Sequence, residues 1–334
     1  MQQQTDNSGQ RRGKSALFSF VNFFGPFIGL LLVIGLFSLN SEVRPFFLSG
    51  GNFKIILTQT VIVAIGALGM TMIIVSGGID LSVGSVVALT SVVGATLLVK
   101  NFSPLTSALL TIFAGGLIGL INGVLISSLR MMPFIVTLGM MGVARGTAKW
   151  LSDSQTVNPS ENPLNNLMAL SGEPTNLLPL PHGVWIAITL AVALAVILRK
   201  TVFGRYIFAM GGNEIAARYS GVRVSLHKTF VYAFAGIFFG VAGLMQFARL
   251  TQGDPSGANG LELDIIAAVV IGGASLNGGT GSVLGSMIGA LIMAVLRNGS
   301  SQMGWPTYMQ EIIIGAVIIL AVGLDKWRQH RAGK

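Results

Sequence analysis

Long apolar stretches, separated by short polar segments, make up most of the chain. A helix that crosses roughly 30 Å of hydrocarbon needs about 20 apolar residues. The clear candidates are Phe18–Leu39, Phe53–Val75, Leu81–Val99, Leu105–Leu129, Val184–Leu198, Thr229–Ala248 and Tyr308–Leu324. Shorter or glycine-interrupted stretches are Pro133–Trp150, Leu263–Ile271 and Val283–Leu296. The pattern predicts an all-α integral membrane protein, a polytopic bundle of about ten transmembrane helices over residues 18–325, with tails at 1–17 and 326–334.

The first apolar stretch follows a polar tail that contains Arg11, Arg12 and Lys14. It continues to Leu39 and is longer than the apolar region of a signal peptide, and no convincing small-residue cleavage site follows it. We therefore expect it to be retained as the first membrane span.

The composition excludes several other classes of protein. Only 10% of the residues are charged and 52% are hydrophobic, whereas soluble domains are about 25% charged. Cysteine is absent, which excludes disulfides, thiolate metal sites and thiol nucleophiles, and the three histidines lack a metal-binding spacing. We expect no cofactor. The net charge of +9 comes from basic residues between apolar stretches, which is typical of cytoplasmic loops rather than of nucleic-acid binding.

Lysine and arginine also predict the orientation of the chain. They are concentrated in the N-terminal tail, in segment 199–228 and in the C-terminal tail, which we therefore place in the cytoplasm. An even number of crossings puts both termini on one side, in agreement with the charges. Segments 151–181 and 251–260 carry no basic residue and are rich in turn-forming residues, so we expect them outside.

Two glycine-rich segments interrupt the apolar stretches in similar ways. One extends from Gly77 to Ser85 and the other from Gly272 to Ser282, and each is followed by valine and small residues. Paired breaks in corresponding halves favour an internal repeat and a transport path, with chance similarity between glycine-rich hinges as the alternative. The residues assigned to the breaks and the pathway are Gly77, Gly78, Asp80, Ser82, Ser85, Asn122, Gly272, Gly273 and Asn277.

Asp80 is a charged residue within a long apolar region. Its carboxylate is costly to bury unless it is solvated, paired or hydrogen-bonded. Two glycines precede it and a new helix follows, so Asp80 is placed to cap that helix. Contact with substrate and proton coupling are the alternatives, although no second acid or histidine forms an obvious relay. Glu262 and Asp264, at the start of a short span, are expected to be solvated at its mouth.

The basic loop contains a short predicted helix. Asn213 is placed to cap it and Gly221 to end it. Such a helix either lies on anionic lipid or docks into a groove on a soluble partner. The chain has no complete phosphate-binding Gly-x-x-x-x-Gly-Lys-Ser/Thr motif, because Ser8 stands where that motif requires its first glycine before Gly13-Lys14-Ser15, so ATP hydrolysis would require another polypeptide.

Three motifs closely resemble a known family. They are the break Gly77–Ser85, the loop Gly211–Val222 and the segment Leu261–Gly273. All three resemble the ribose/xylose/arabinose-type permease subunits of bacterial ATP-binding-cassette (ABC) sugar importers, in consistent order over about residues 53–325.

The resemblance implies an ABC permease without its own ATPase site, in the bacterial cytoplasmic (inner) membrane, that forms the pathway for a monosaccharide. It implies ATP-binding cassette subunits, a second permease protomer (in a homo- or heterodimer) and an external periplasmic sugar-binding protein as partners, besides membrane lipid. The loop from Glu214 resembles the coupling loop of importer permeases, with Ile215 as an inserted residue. The residues assigned to coupling are Gly211, Gly212, Asn213, Glu214, Ala217 and Gly221.

Other functions and substrates remain open at the level of sequence. An ion-coupled secondary transporter would need a buried acid, for which Asp80 is the candidate. A membrane-embedded enzyme would need convergent catalytic groups, and the spans contain none. Ribose is the first candidate substrate by resemblance, with another pentose, a hexose or a polyol as alternatives. The small polar residues expected to meet a sugar are Ser82, Ser85, Asn122 and Asn277.

Overall fold

The structure is a computed structural model, which describes residues 24–170 and 180–332. Its helices are α1 (Phe24–Ser38), α2 (Arg44–Phe47), α3 (Gly50–Val75), α4 (Val83–Val99), α5 (Pro104–Ser128), α6 (Pro133–Leu151), α7 (His182–Lys200), α8 (Val202–Gly212), α9 (Glu214–Tyr219), α10 (Val224–Leu250), α11 (Leu261–Ile271), α12 (Val283–Gln302) and α13 (Thr307–Ala332). A 3-10 helix, Pro163–Leu167, lies between α6 and α7. The predicted N-terminal tail, the start of the first span and part of segment 151–181 lie outside the described residues.

The helices confirm the predicted polytopic all-α architecture. Each predicted span falls on one helix, and five of the helices in the described residues, α3, α5, α7, α10 and α12, are long and apolar enough to cross a membrane. α11 has 11 residues, or about 16 Å at 1.5 Å per residue, and is therefore too short to cross alone. α13 continues to Ala332, past the predicted end at Leu324.

Segment 199–228, which we predicted as a loop with one short helix, contains two helices and the start of α10. The additional helix is α8, which begins where the Thr201 hydroxyl accepts the Gly204 N–H at 3.2 Å. Ile207 of α8 is buried in the main core, and Phe203 and Phe208 pack against it. These apolar contacts hold α8 against the membrane-spanning helices.

α3 lies at the centre of the bundle and is buried over most of its length. Its sequence is apolar on all sides, as expected for a helix that neighbours surround. α10, α12, α11 and α7 pack against it. In contrast, α1, α5, α6, α7 and α13 expose large apolar side chains, for example Leu31, Phe113 and Ile319, which is the pattern of a surface that faces lipid.

α5 and α10 approach each other closely through small residues. A Cβ added at Gly115 or Gly119 would collide with the α10 backbone at Gly236, and one added at Gly123 would collide with Thr229. Small residues at this spacing allow helix backbones to pack in lipid. The helix backbones are in close contact at these positions, while Gly116 faces the Ile237 side chain.

The long helices run alternately between two ends of the bundle. One end, here the α9 end, holds α8, α9 and the C-termini of α3, α5 and α7. The opposite end holds the C-termini of α10 and α12 and the segment 153–170. An antiparallel bridge between Val157 and Gly253 joins two connecting segments there.

Candidate transport pathway and coupling surface

Asp80 lies in a buried polar cluster toward the α9 end and is 1% exposed. Its Oδ1 accepts hydrogen bonds from the backbone N–H of Ser82 at 2.7 Å and from the Ser82 hydroxyl at 2.6 Å. Asn122 Nδ2 of α5 donates to Asp80 Oδ2 at 3.4 Å and to the Ser82 hydroxyl at 3.1 Å. Nearby, the Tyr232 hydroxyl of α10 donates to the Ile79 carbonyl at 3.3 Å.

The predicted capping role of Asp80 needs a correction. α4 begins at Val83, its N-cap residue is Ser82, and no side chain accepts a hydrogen bond there as a cap. Asp80 lies two residues earlier and accepts the N–H of Ser82 itself, because the chain makes a turn before the helix begins. The Thr137 hydroxyl of α6 accepts the neighbouring N–H of Leu81 at 3.1 Å. Two side chains, those of Asp80 and Thr137, thus accept hydrogen bonds from the backbone N–H groups at this break.

The predicted pathway residues near Asp80 form a closed cluster. Ser82, Ser85 and Asn122 are buried, and the Ser85 hydroxyl donates to the Ser82 carbonyl at 2.8 Å. Gly78 leaves room for the Tyr232 hydroxyl. None of these residues lines the two cavities described below. Their arrangement joins α4, α5 and α10 around the first break.

The two glycine-rich breaks meet at the C-terminus of α8. A Cβ added at Gly278 would lie 2.9 Å from Gly77 Cα and 3.0 Å from Gly211 Cα, so three backbones touch. The Gly279 N–H donates to the Val75 carbonyl at 2.9 Å and ties the second break to the end of α3. We name this contact of Gly77, Gly211, Gly278 and Gly279 the glycine junction.

The remaining residues of the second break have different positions. Gly272 packs against the backbone of Gly285 where α11 and α12 form an antiparallel hairpin, and Gly273 has a left-handed φ of 91°. Asn277 is exposed, and its N–H donates to the Ser275 hydroxyl at 3.2 Å. Sequence similarity between the two breaks had suggested a shared path, and the structure places them in contact.

α9 begins and ends as predicted. The Asn213 side chain caps it by accepting the Ala216 N–H at 2.9 Å. At its C-terminus, Gly221 has φ 88° and donates to the Arg218 carbonyl, while the Val222 N–H donates to the Ala217 carbonyl, both at 3.1 Å. This pair of bonds is a Schellman motif, which favours glycine at the left-handed position.

One face of α9 packs against neighbouring residues of the protein, and the other face is exposed. Ala217 is buried with Met210, Val222 and Val224. On the outer face, Ile215 is 69% and Tyr219 89% exposed. Large apolar side chains in this position form a surface that a partner or lipid would cover.

Glu214, which the resemblance assigns to coupling, is paired within the chain. Its carboxylate accepts hydrogen bonds from Lys228 Nζ at 2.6 Å and from Arg218 Nη2 at 3.2 Å. The Lys228 hydrogen bond, with the attraction of both cations, holds the pKa of Glu214 below its usual value. The exposed Ile215 and Tyr219 are further candidates for the contact residues of α9.

Two adjacent cavities lie at the opposite end of the bundle. The outer cavity, of about 550 Å³, lies between α3, the end of α10 and the segment 161–170. The inner cavity, of about 410 Å³, lies between α3, α10, α11 and α12. Both volumes fall in the ~300–1,000 Å³ range of small-molecule sites. Gln59 and Arg249 line both cavities and mark the boundary between them.

Polar side chains, all but one of them from largely apolar helices, line the inner cavity; the exception is Asn259 of the segment between α10 and α11. They include Gln59, Gln246, Arg249, Asn259, Asp264, Arg297, Asn298, Ser301, Gln302 and Gln310. We did not select any of these as a pathway residue from the sequence. The available signal was the presence of amide and charged residues inside apolar stretches, which is costly unless they face a cavity or a partner.

Asp264 was expected at a solvated mouth, and this expectation is wrong. It is 3% exposed, and its Oδ2 accepts a hydrogen bond from Arg297 Nε at 2.8 Å and forms an ion pair with Nη2 at 2.7 Å. The pair joins α11 to α12 across their hairpin. A buried carboxylate needs such a partner because its desolvation is otherwise uncompensated.

A bundle of membrane-spanning helices with polar cavities at one end and an exposed helix at the other has the architecture expected of a membrane permease. The chain belongs to the family described as branched-chain amino acid transport system / permease component, whose model matches residues 52–322.

Relatives of the chain are permeases that are named for different sugars. The ribose import permease protein RbsC of Escherichia coli K12 is 39% identical over 300 residues, which cover 90% of this chain and 93% of the relative. The L-arabinose ABC transporter permease protein AraH of Azospirillum brasilense is 35% identical, over 96% of this chain and 92% of the relative. The D-allose transport system permease protein AlsC of Escherichia coli K12 is 33% identical, over 92% and 94%. No solved structure matches the chain significantly.

Proposed function

We propose that the chain is the transmembrane subunit of an ABC importer for a monosaccharide, ribose or a similar sugar, in the bacterial inner membrane. The relatives named above carry ribose, arabinose and allose in their names and match nearly the whole chain. The observation that carries the proposal is the inner cavity, because its amide and carboxylate side chains suit a ligand rich in hydroxyl groups.

The proposed orientation places the α9 end in the cytoplasm and the cavities on the outside. An external binding protein would then deliver the sugar at the outer cavity, next to segment 161–170. Toward the cytoplasm, the closed Asp80 cluster and the glycine junction block further passage. In this proposal, such a conformation would accept a sugar from outside.

Energy would come from separate ATP-binding subunits that bind α9. Its exposed Ile215 and Tyr219 supply apolar anchors of the kind that a groove on a soluble partner holds. α8 connects α9 directly to the glycine junction, so movement of α9 would reach both breaks. A second permease protomer would complete the importer. Ion coupling through Asp80 is disfavoured because both carboxylate oxygens already accept hydrogen bonds within the protein.

The proposal is tested with the purified permease, its ATP-binding subunits and its cognate binding protein in lipid nanodiscs. We expect the binding protein loaded with D-ribose to stimulate ATP hydrolysis several-fold over the same protein without sugar. L-Leucine serves as the control ligand, since the family description names amino acids. Stimulation by leucine and not by ribose or any other monosaccharide would refute the assignment.

A further inference from the structure

A tight turn between α7 and α8 brings three basic residues together at the α9 end. Arg199 and Lys200 end α7, and Arg205 lies in the first turn of α8. The turn is tight because a Cβ added at Gly204 would collide with the backbone of Leu198 in α7. All three basic residues are exposed, so this turn presents three cations on a short stretch of surface.

The start of α10 adds a fourth cation to the same surface. Arg223 is exposed and is the N-cap residue of α10. Its carbonyl accepts the N–H of His227, one turn later, at 3.1 Å. The ring of His227 packs against α8, with centroids 4.8 Å from Tyr206 and 6.4 Å from Phe203. We name the basic corner by its four residues, Arg199, Lys200, Arg205 and Arg223.

The cations of the basic corner are not neutralised by carboxylates of the described residues. None of the four has a carboxylate oxygen within 4.0 Å in that part of the chain. Glu214, the acid of neighbouring α9, is already paired with Lys228 and Arg218. Four like charges on one corner create a positive potential that attracts an anion.

The surface of α10 next to the basic corner is aromatic. Phe230 and Phe234 follow Arg223 and His227 at spacings of three and four residues, which places all four on one face of the helix. Phe230 is 47% and Phe234 42% exposed. The face therefore changes from a cation to exposed aromatic rings over 11 residues, or about 16 Å at 1.5 Å per residue.

α7 shows the same order of residues toward the same end. Val192, Val196 and Lys200 are spaced four residues apart, and all three are exposed. Exposed valines on a membrane-spanning helix face acyl chains. The basic corner thus lies where the apolar surface of the bundle ends, which is the level of the lipid head groups.

We propose that the basic corner binds the head group of an anionic phospholipid, whose acyl chains lie along Phe230 and Phe234. A phospholipid matches both parts of the surface, because its phosphate pairs with the guanidinium groups and its chains cover the aromatic rings. An acidic surface on a soluble protein would match the cations alone. Since α7, α8 and α10 each carry part of the site, the lipid holds α8 against the two membrane helices.

The test uses the purified full-length permease in detergent micelles, titrated with dioleoyl phosphatidylglycerol or with zwitterionic dioleoyl phosphatidylcholine. Native mass spectrometry measures how much of each lipid the protein retains. We expect the wild type to retain phosphatidylglycerol in preference. A basic residue near the head group contributes about 1 kcal/mol, or about fivefold in affinity, so Arg205→Gln/Arg223→Gln should bind phosphatidylglycerol about 25-fold more weakly.

Arg130→Gln/Lys149→Gln is the matched control. It removes the same two charges from exposed positions, but Arg130 follows α5, which packs on a different face of α10, and Lys149 lies near the far end of α6. It should retain phosphatidylglycerol as the wild type does. If Arg205→Gln/Arg223→Gln does not fold, sodium chloride provides the second test on the wild type. Raising it from about 0.1 to about 1 M shortens the screening length from roughly 10 to 3 Å and should release phosphatidylglycerol.

Several results would overturn the lipid site. Equal retention of the two lipids by the wild type would do so, as would equal loss in Arg205→Gln/Arg223→Gln and in the control, because net charge alone would then attract the lipid. Binding of free glycerol phosphate as tightly as phosphatidylglycerol would show an anion site that uses no acyl chain. Weaker binding of the ATP-binding subunits to Arg205→Gln/Arg223→Gln, with unchanged lipid retention, would assign the basic corner to that partner. None of these measurements involves sugar, so each outcome leaves the proposed function to its own test.

Discussion

The glycine junction offers the sharpest perturbation of the link between α9 and the membrane helices. In Gly211→Ala, the new Cβ would collide with the Val75 carbonyl and lie 2.5 Å from the Gly279 nitrogen. Comfortable contacts between such heavy atoms are about 3.5 Å, so α8 must move by roughly 1 Å relative to the second break. The same methyl group intrudes on the hydrogen bond between Gly279 and Val75, which measures 2.9 Å.

The cost of this intrusion follows from overpacking in other proteins. Extra methyl groups in a packed core typically cost about 1–3 kcal/mol. Here the strain would fall on the contact through which, in our proposal, movement passes from α9 to the breaks. We expect Gly211→Ala to insert and assemble, to melt at a lower temperature, and to hydrolyse ATP with much less sugar uptake per ATP consumed.

The neighbouring residue supplies a matched control. A Cβ added at Gly212 would meet nothing within 4 Å, so Gly212→Ala makes the same change without the collision. Fluorescence-detected size-exclusion chromatography after heating measures stability, and parallel assays of uptake and hydrolysis measure coupling. If the two variants are alike in melting temperature and in sugar transported per ATP, the junction has no role in transmission and the reasoning fails.

Three further predictions concern orientation, the Asp80 cluster and α9. The chain lacks cysteine, so Tyr219→Cys introduces a single exposed thiol. It should react with an impermeant maleimide from the cytoplasmic side only. Reaction in intact cells would show that the proposed orientation is wrong. Asp80→Asn should keep most transport because its amide oxygen still accepts the Ser82 N–H. Asp80→Leu leaves that N–H without an acceptor, at a cost of about 1–3 kcal/mol in stability. Equal loss of transport in both variants, with normal assembly, would assign a role to the charge itself. Because the pKa of Glu214 is lowered by Lys228, the stability that this pair contributes is present above the pKa of the unfolded chain and is lost as the pH falls through the folded pKa. The Glu214–Lys228 surface pair contributes at most about 1 kcal/mol of stability. Glu214→Gln should therefore reduce the fall in melting temperature at acid pH. The same dependence of melting temperature on pH in the variant and the wild type would contradict this prediction.

The features that the sequence predicted are local ones. Apolar length located the spans, and turn chemistry at Asn213 and Gly221 located α9 almost to the residue. The spacing of small residues in α5 favours a close helix contact, although it does not indicate that the partner helix is α10. Each of these signals depends on residues within a few positions of one another.

The features that the sequence did not predict depend on tertiary contacts. Asp264 precedes Arg297 by 33 residues, and only the antiparallel hairpin of α11 and α12 brings the two together. Likewise, nothing local to Gly211 indicates that it touches both breaks. The start of α4 was misplaced because Asp80 satisfies the turn before the helix, a choice that depends on Asn122 and Thr137 from other helices.

The most direct test of the account compares energy sources for sugar uptake. Proteoliposomes that contain the permease and its ATP-binding subunits receive the binding protein saturated with radiolabelled D-ribose, and either enclosed ATP or an imposed proton gradient. We predict accumulation of ribose with ATP and none with the gradient alone. Accumulation driven by the gradient in vesicles that lack the ATP-binding subunits would contradict the assignment of the chain as a permease powered by a separate ATPase.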